Sequence, residues 1–543
     1  MSANKRDLVG RARGPGEKTF EFQFVTPDND KVKIGEYVCY DLKIDKMHQV
    51  LARVTERSPL RLYPDVMLSN PGLDPAAIAT TIDFPDSDSM DYYLIEAQVI
   101  GYYKDKTFKF VNPRIPPKPG APIYLATSKD LEDWLSPVAK DQPKSAFMGD
   151  LLSRKEGEVS VNIDVDEIVS KHIAVLAATG SGKSYSVGVL LEEMLMEKNQ
   201  AAVLVFDPHG EYQTLHQMET LQVFKSKKYR PKVQKLKAGD VSVKLAHMSF
   251  GELQNTIKNM SDKMTNLLRE AYNLAKKGNT NNFTIQDILD ELHAQKEKSN
   301  ESSVQGIEWR LKEYVENRSI IESTKHTSLR ELLMPGQCTI IDMTHVRKDD
   351  QQLLTSVILN RVLKSRIEYE RADPNNAPDP NEDKDVLDFP VFIVLEEAHR
   401  FAPAHQESWS KQILRTILSE GRKFGVGVCV VSQSPGKLDS EVLSQCMSQI
   451  IMKMINPTDQ KNILNSVESV SEDLMTELPG LTKGQAVIVG EGINTPVLVK
   501  IRPRHTKHGG QSPEAVNKWR GYKKPDPEPK TSVDNQNDQI FPE

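Results

Sequence analysis

The sequence predicts an α/β protein: a parallel sheet covered on both faces, preceded by a small β-barrel and interrupted by a helical insert. Three observations carry this. Apolar runs at residues 173–178, 202–206, 339–343, 391–395 and 427–432 alternate with helical stretches, the pattern of strands buried on both faces. Residues 18–130 hold short strands between turn signals with little helical patterning, which predicts a barrel. Residues 248–330 place Leu, Ile and Met at three-and-four spacing, which predicts an inserted helical subdomain.

In chain order, the barrel is assigned to residues 1–140. Its strands are expected at 20–25, where FEFQFV alternates with period two, and at 31–34, 37–42, 49–54, 92–103 and 122–125. The core takes 141–247 and 331–510, and the insert 248–330. Residues 371–388 are rich in Pro, Asp and Asn and read as an exposed loop before a buried strand. Residues 511–543 have almost no apolar content and read as a mobile tail.

Composition narrows the function. Among 543 residues, 38% are hydrophobic and 27% charged, which excludes a wholly disordered chain. The longest apolar runs are too short to span a bilayer, and the start, MSANKRDLVGRARG, lacks a secretory apolar region. Four cysteines, Cys39, Cys338, Cys429 and Cys446, have no CxxC spacing, which fits a reducing cytoplasm better than a zinc or disulfide framework. The net charge of −6 does not advertise nucleic acid, yet a ring can keep a basic lumen inside an acidic exterior.

The strongest signal is IAVLAATGSGKS, running from residue 173 to 184 and followed by a helical run. A buried strand entering a Gly-rich loop and then a helix makes a phosphate cradle from backbone N–H groups and the helix N-terminus. The nucleotide-binding candidates are Thr179, Gly180, Ser181, Gly182, Lys183, Ser184 and Tyr185, the last opening the helix. Lys183 reaches the β- and γ-phosphates of ATP and the Ser184 hydroxyl binds Mg²⁺. Ala177 stands where the strict pattern has Gly; the position needs a small residue at a turn. A second apolar strand ends in Glu396 and Glu397, on the sheet edge where α/β folds bind ligands. Glu396 is assigned to the Mg²⁺ shell, directly or through water, and Glu397 to polarising the attacking water. Asp207, at the end of another strand, is a second metal-shell group or an orienter of that water. His209 and Glu211 beside it either join the site or serve the turn. Gln433 closes a further strand and is placed to sense the γ-phosphate.

Together, KHIAVLAATGSGKSYSVGVLLEEML, VFDPHGEY, FIVLEEAHRFAP, SEGRKFGVG and VVSQSPGKLD resemble the HerA branch of the HerA–FtsK ATPases over roughly residues 18–510. The resemblance implies a RecA-like P-loop ATPase core, an N-terminal HAS-barrel and a helical subdomain at 248–330. It implies closing strands in the stretch 478–487 and at Arg502–Arg504. It further implies a homo-hexameric, ATP-driven motor on double-stranded DNA, a helicase or translocase working beside a NurA-like nuclease in end resection for recombinational repair. The family supplies one Arg across a subunit interface, and the matching position is Arg422. The family's Arg before the phosphate-loop strand is replaced by Lys171, which keeps the charge and loses the planar fork.

Between Glu219 and Asp240 stand Lys225, Lys227, Lys228, Arg230, Lys232, Lys235 and Lys237 with no acidic residue among them. The run reads either as a phosphate-neutralising DNA contact or as a solvated loop. Lys437 is a second candidate for the lumen. The alternative function is a P-loop ATPase that moves or recruits a protein in a secretion or defence complex. DNA stimulation of hydrolysis separates the two.

Overall fold

The computed structural model describes residues 6–509, apart from 17, 19, 28–30, 45, 61–91, 104–109, 280–281, 296–300, 319–320, 323–325, 374–378, 380–382 and 468–469, and further on 516, 519 and 520. Most of the expected C-terminal tail and part of the 371–388 loop therefore lie outside the described residues.

The N-terminal strands are β1 (Leu8–Pro15), β2 (Glu21–Pro27), β3 (Tyr37–Lys43), β4 (Met47–Leu60), β5 (Tyr92–Tyr103), β6 (Phe110–Val111) and β7 (Pro122–Leu125). Their order is β2-β1-β7-β3-β4-β5, and β5 pairs back onto β2, so six strands close and β6 is appended to β5. Closure leaves the barrel no free edge. Phe22, Phe24, Tyr40, Val50, Ala52 and Ile95 fill it. Residues 31–34, expected as a strand, are turns instead. Glu36 donates its N–H to the Lys33 carbonyl, and Gly35 at φ +81° breaks the extended run. β1 was not expected, because Arg11 and Arg13 disguise its period-two pattern.

The core strands follow: β8 (Ser145–Leu151), β9 (Ser160–Asp164), β10 (Ile173–Leu176), β11 (Val203–Asp207), β12 (Lys232–Lys237), β13 (Val243–Lys244), β14 (Ile321–Glu322), β15 (Gln337–Asp342), β16 (Val391–Leu395), β17 (Val426–Ser432), β18 (Ser448–Met452), β19 (Gln485–Gly490) and β20 (Val497–Ile501). Eleven of them form one sheet in the order β12-β15-β11-β16-β17-β10-β18-β19-β20-β8-β9. The sheet is parallel from β12 to β18, as expected, and antiparallel from there to β9. Residues 478–480 are a short 3-10 turn rather than a strand, and Arg502 and Arg504 lie beyond the end of β20.

Alternation along the parallel strands feeds two cores. Leu204, Phe206, Ile393, Leu395, Val428 and Val430 face the helical insert and the long helix Lys348–Arg371. Val203, Val205, Phe392, Val394, Cys429 and Val431 face the helix Lys183–Met194. The insert's main helices are Asp262–Gly278, Ile285–Ala294 and Glu301–Leu311. Barrel and core are joined by buried polar contacts: Tyr37 Oη donates to the Pro496 carbonyl at 3.0 Å, and Arg154 Nε meets Glu36 at 2.9 Å.

Candidate nucleotide-hydrolysis site

Register fixes which strand ends meet. Leu176 pairs with Ser432, Phe206 with Leu395, and Leu395 with Val430. The residues that follow these strands, the Gly-rich loop, Glu396–Glu397, Gln433 and the turn after Asp207, therefore crowd one edge of the sheet.

The loop is pinned by its neighbours: Ala177 N–H donates to the Ser432 carbonyl at 3.2 Å and Ala178 N–H to the Lys453 carbonyl at 3.0 Å. Gly180 and Gly182 adopt φ of +80° and +107°, which L side chains resist, and a Cβ on Gly180 would meet open space. The helix Lys183–Met194 starts at Gly182 with no side-chain cap and no acidic residue in its first turn. Its first N–H groups and positive dipole end are thus left for an anion. This cradle fits a phosphate chain.

Lys183 is buried and held by two carboxylates, hydrogen-bonding Glu396 and lying 3.1 Å from Glu397 Oε1. Burial pulls the Lys183 ammonium down, but the Glu396 and Glu397 charges outweigh it and its pKa ends above the ordinary lysine value. Burial pushes Glu396 up to about 7 against the pull of Lys183 and the Tyr212 hydroxyl. Glu397 stands at φ +52°, strained for a residue with a Cβ. Its Oε2 is buried with no hydrogen-bond partner, 3.2 Å from His399 Nδ1 at an angle that makes no bond. An orphaned carboxylate oxygen beside the phosphate cradle fits a site that takes water and a divalent cation.

The remaining expected residues divide. Gln433 accepts from Thr179 Oγ1 at 2.9 Å, so it reaches the loop. Ser181 Oγ folds back to the Ala178 carbonyl, while Ser184 lies buried on the helix's first turn. Tyr185 Oη accepts the Arg504 N–H at 2.7 Å. Asp207 requires a correction. Its Oδ1 accepts the N–H groups of His209, Gly210 and Glu211, and its Oδ2 that of Tyr212. This carboxylate is fully buried and its four amide bonds tie it to its own loop, a loop-holding role in place of the metal-shell or water-orienting one expected. His209 is exposed on that loop. Lys171 is also not brought to its own chain's phosphate loop. It sits ahead of β10, paired with Glu167 and Glu491 at 2.7 Å each. Arg422 is exposed in the 3-10 turn Gly421–Phe424 ahead of β17. The seven residues of β17, at about 3.3 Å each, put roughly 20 Å between that end and the Gln433 end.

Sequence reasoning missed three contributors. Tyr212 is fully buried and donates to Glu396 Oε2 at 2.6 Å. A tyrosine five residues past a strand-end Asp gives no signal by pattern alone. The segment after β20 straps the phosphate-loop helix: Arg502 bonds Glu192 at 2.9 Å and Glu193 at 2.8 Å, and Thr506 N–H bonds Glu192 at 2.8 Å. A Cβ at Gly188 would lie 2.5 Å from the Arg504 guanidinium, so the strap packs directly on the bare helix backbone there. The basic run is part loop and part strand. Lys232, Lys235 and Lys237 belong to β12, the outermost strand of the sheet, where Lys235 pairs with Asp342 at 3.0 Å; Lys227, Lys228 and Arg230 precede it, exposed. Lys437 is exposed four residues past Gln433.

A parallel sheet with a glycine-rich phosphate cradle, a helix-borne Lys-Ser and a carboxylate-tipped strand two places along the sheet define a P-loop ATPase. The chain belongs to the HerA helicase family. The profile of that family described as "Helicase HerA, central domain" matches residues 146–362. A "Probable helicase" of Methanocaldococcus jannaschii is 33% identical over 450 residues, 80% of this chain and 81% of that protein. The DNA double-strand break repair helicase HerA of Saccharolobus solfataricus is 30% identical over 498 residues, 90% of this chain and 91% of that one. Among solved structures, VirB4 of Thermoanaerobacter pseudethanolicus is similar at 14% identity and a TM-score of 0.49, over 68% of this chain and 99% of that one. Among the described residues no helix is long and apolar enough to cross a membrane.

Proposed function

We propose that the chain is an ATP-driven motor on double-stranded DNA, a helicase or translocase of the HerA type that works as a homo-hexamer with a NurA-like nuclease in end resection. One observation supports the ring reading above others. The charged groups for hydrolysis are gathered at one edge of the sheet, while Arg422 stands at the opposite edge and, among the described residues, makes no ion pair. A cation so placed serves a neighbour's site better than its own.

Hydrolysis follows from a charge exchange. In the nucleotide-free chain Lys183 is paired with Glu396 and Glu397. ATP phosphates arriving at the helix N-terminus draw the ammonium to themselves. Glu397 is then freed to accept a proton from the attacking water, its strained backbone holding the carboxylate at the loop. Ser184 and Glu396 would hold Mg²⁺, which offsets charge on the phosphates. Gln433, bonded to Thr179, links the γ-phosphate position to β17.

The test is the ATPase rate with and without linear duplex DNA. Stimulation by DNA is expected; stimulation by a protein partner alone would favour the protein-moving reading. Neutralising Lys225, Lys227, Lys228 and Arg230 together should weaken duplex binding at every sequence. Each lost phosphate contact should lower the log–log salt slope by about 0.9, and an unchanged slope removes this run from the DNA path.

A further inference from the structure

A second cluster lies away from the nucleotide, at the root of the helical insert. His247 ends the short turn Leu245–His247 after β13, His326 follows β14, and Asp385 precedes β16. β13 and β14 pair in parallel, and Ser242 and Thr327 exchange hydrogen bonds, so the chain entering the insert is tied to the chain leaving it. This brings a nitrogen of each imidazole and an oxygen of Asp385 within 4.8 Å of one another. From these positions we infer that His247, His326 and Asp385 form a binding site for a divalent transition-metal ion of the zinc type.

Four features beyond proximity carry the inference. First, Asp385 is held in place on both oxygens: its Oδ1 accepts from Arg361 Nη2 at 2.7 Å and from the Leu329 N–H at 2.8 Å, and its Oδ2 accepts from His326 Nε2 at 3.2 Å. Carboxylates that bind metals are commonly fixed in this way through their second oxygen. Second, donors about 2.0–2.1 Å from a tetrahedral zinc stand about 3.3 Å apart, close to the 3.2 Å of the His326–Asp385 hydrogen bond, so an ion would take the place of its shared proton, with a His247 nitrogen within 4.8 Å of both. Third, His247 Nδ1 is buried without a hydrogen-bond partner, which leaves a nitrogen lone pair or N–H unsatisfied unless something binds it. Fourth, the site opens into a cavity of about 460 Å³, giving an ion and its water a way in.

The neighbouring cations do not block it. Arg361 is engaged by Asp385 and the Thr327 carbonyl, and Lys244 Nζ donates to Asn282 at 2.9 Å. Two imidazoles and one carboxylate favour zinc over Mg²⁺ or Ca²⁺, which take oxygen ligands. A bound ion would pin both ends of the insert to the segment that leads into the Glu396–Glu397 strand.

The full chain, stripped with chelator, is dialysed against Zn²⁺ in the presence of excess Mg²⁺, and bound metal is measured by elemental analysis. One zinc per chain is expected, falling to near zero in His247→Gln and in His326→Gln. A wild-type chain without stoichiometric zinc, or folded variants that keep it, would overturn the site. Should the variants not fold, diethylpyrocarbonate labelling of the wild type decides: zinc should shield His247 and His326 from modification, and equal labelling with and without zinc would refute the assignment.

Discussion

The two edges of the core sheet treat charge in opposite ways. At the phosphate-loop edge, Lys183, Glu396 and Glu397 are 9%, 1% and 3% exposed and pair through the one ammonium. At the other edge Arg422 is exposed, and Lys171 spends its charge on Glu167 and Glu491. His172, between them, is buried neutral: its Nε2 bonds the Leu418 carbonyl, its Nδ1 accepts the Val428 N–H, and burial followed by Arg422 drops it to about 4. One edge therefore carries a nearly complete site waiting for substrate. The other carries a cation that makes no ion pair among the described residues, and we propose that a neighbouring subunit uses it.

The sharpest way to break this contrast is Arg422. Alanine there should cost about 10³–10⁵ in hydrolysis rate if the guanidinium acts on a neighbour's ATP. Mixing Arg422→Ala chains with Glu397→Gln chains should restore part of the activity, since some interfaces then join an intact Glu397 to an intact Arg422. Rings shown to be mixed yet still inactive would return Arg422 to its own chain.

Glu397→Gln probes the opposite edge and should slow turnover by about 10²–10⁴ while nucleotide binding persists. Bind-without-cleavage from Glu396→Gln instead would reverse the two roles. The third expectation concerns pH. Glu396 titrates near 7 folded and near 4.5 unfolded, so between those values the native chain keeps a proton that the unfolded chain has lost. Stability of the nucleotide-free protein should then fall as pH rises through that window, by on the order of 3 kcal/mol. Denaturant midpoints across pH should flatten in Glu396→Gln; an unchanged slope would assign the loss to other groups. The smallest effect belongs to Lys171→Met. It breaks only surface ion pairs, so unfolding free energy should drop by less than about 1 kcal/mol, and a larger loss would give the edge a structural role.

What could be read in advance follows from which forces are local. Buried parallel strands are apolar throughout, so β10, β11, β16 and β17 stood out, and the GSGKS loop followed from its strand and helix. β12 did not, because an edge strand carries lysines that protect its open side, and KVQKLK reads as a charge run. β1 was hidden too, with Arg11 and Arg13 on its exposed side, although both of its edges are paired. Candidate residues at strand ends were marked by position, yet position does not show that Asp207 accepts four amides of its own loop, which depends on where those amides turn. Tyr212 and the Arg502–Thr506 strap act across hundreds of residues, which no local pattern encodes.

That long reach has a temporal side. The phosphate-loop strand lies between β17 and β18, and its helix is gripped by residues as late as Thr506. On a ribosome adding roughly 5–20 residues per second, the stretch of about 320 residues from Lys183 to Thr506 takes on the order of 15–65 s to appear. Through that interval the nascent chain holds a complete GSGKS sequence without the flanking strands and strap that shape it. The ability to hold nucleotide is thus acquired late, near the end of synthesis, and a chain cut short before β18 would carry the signature of an ATPase without its pocket.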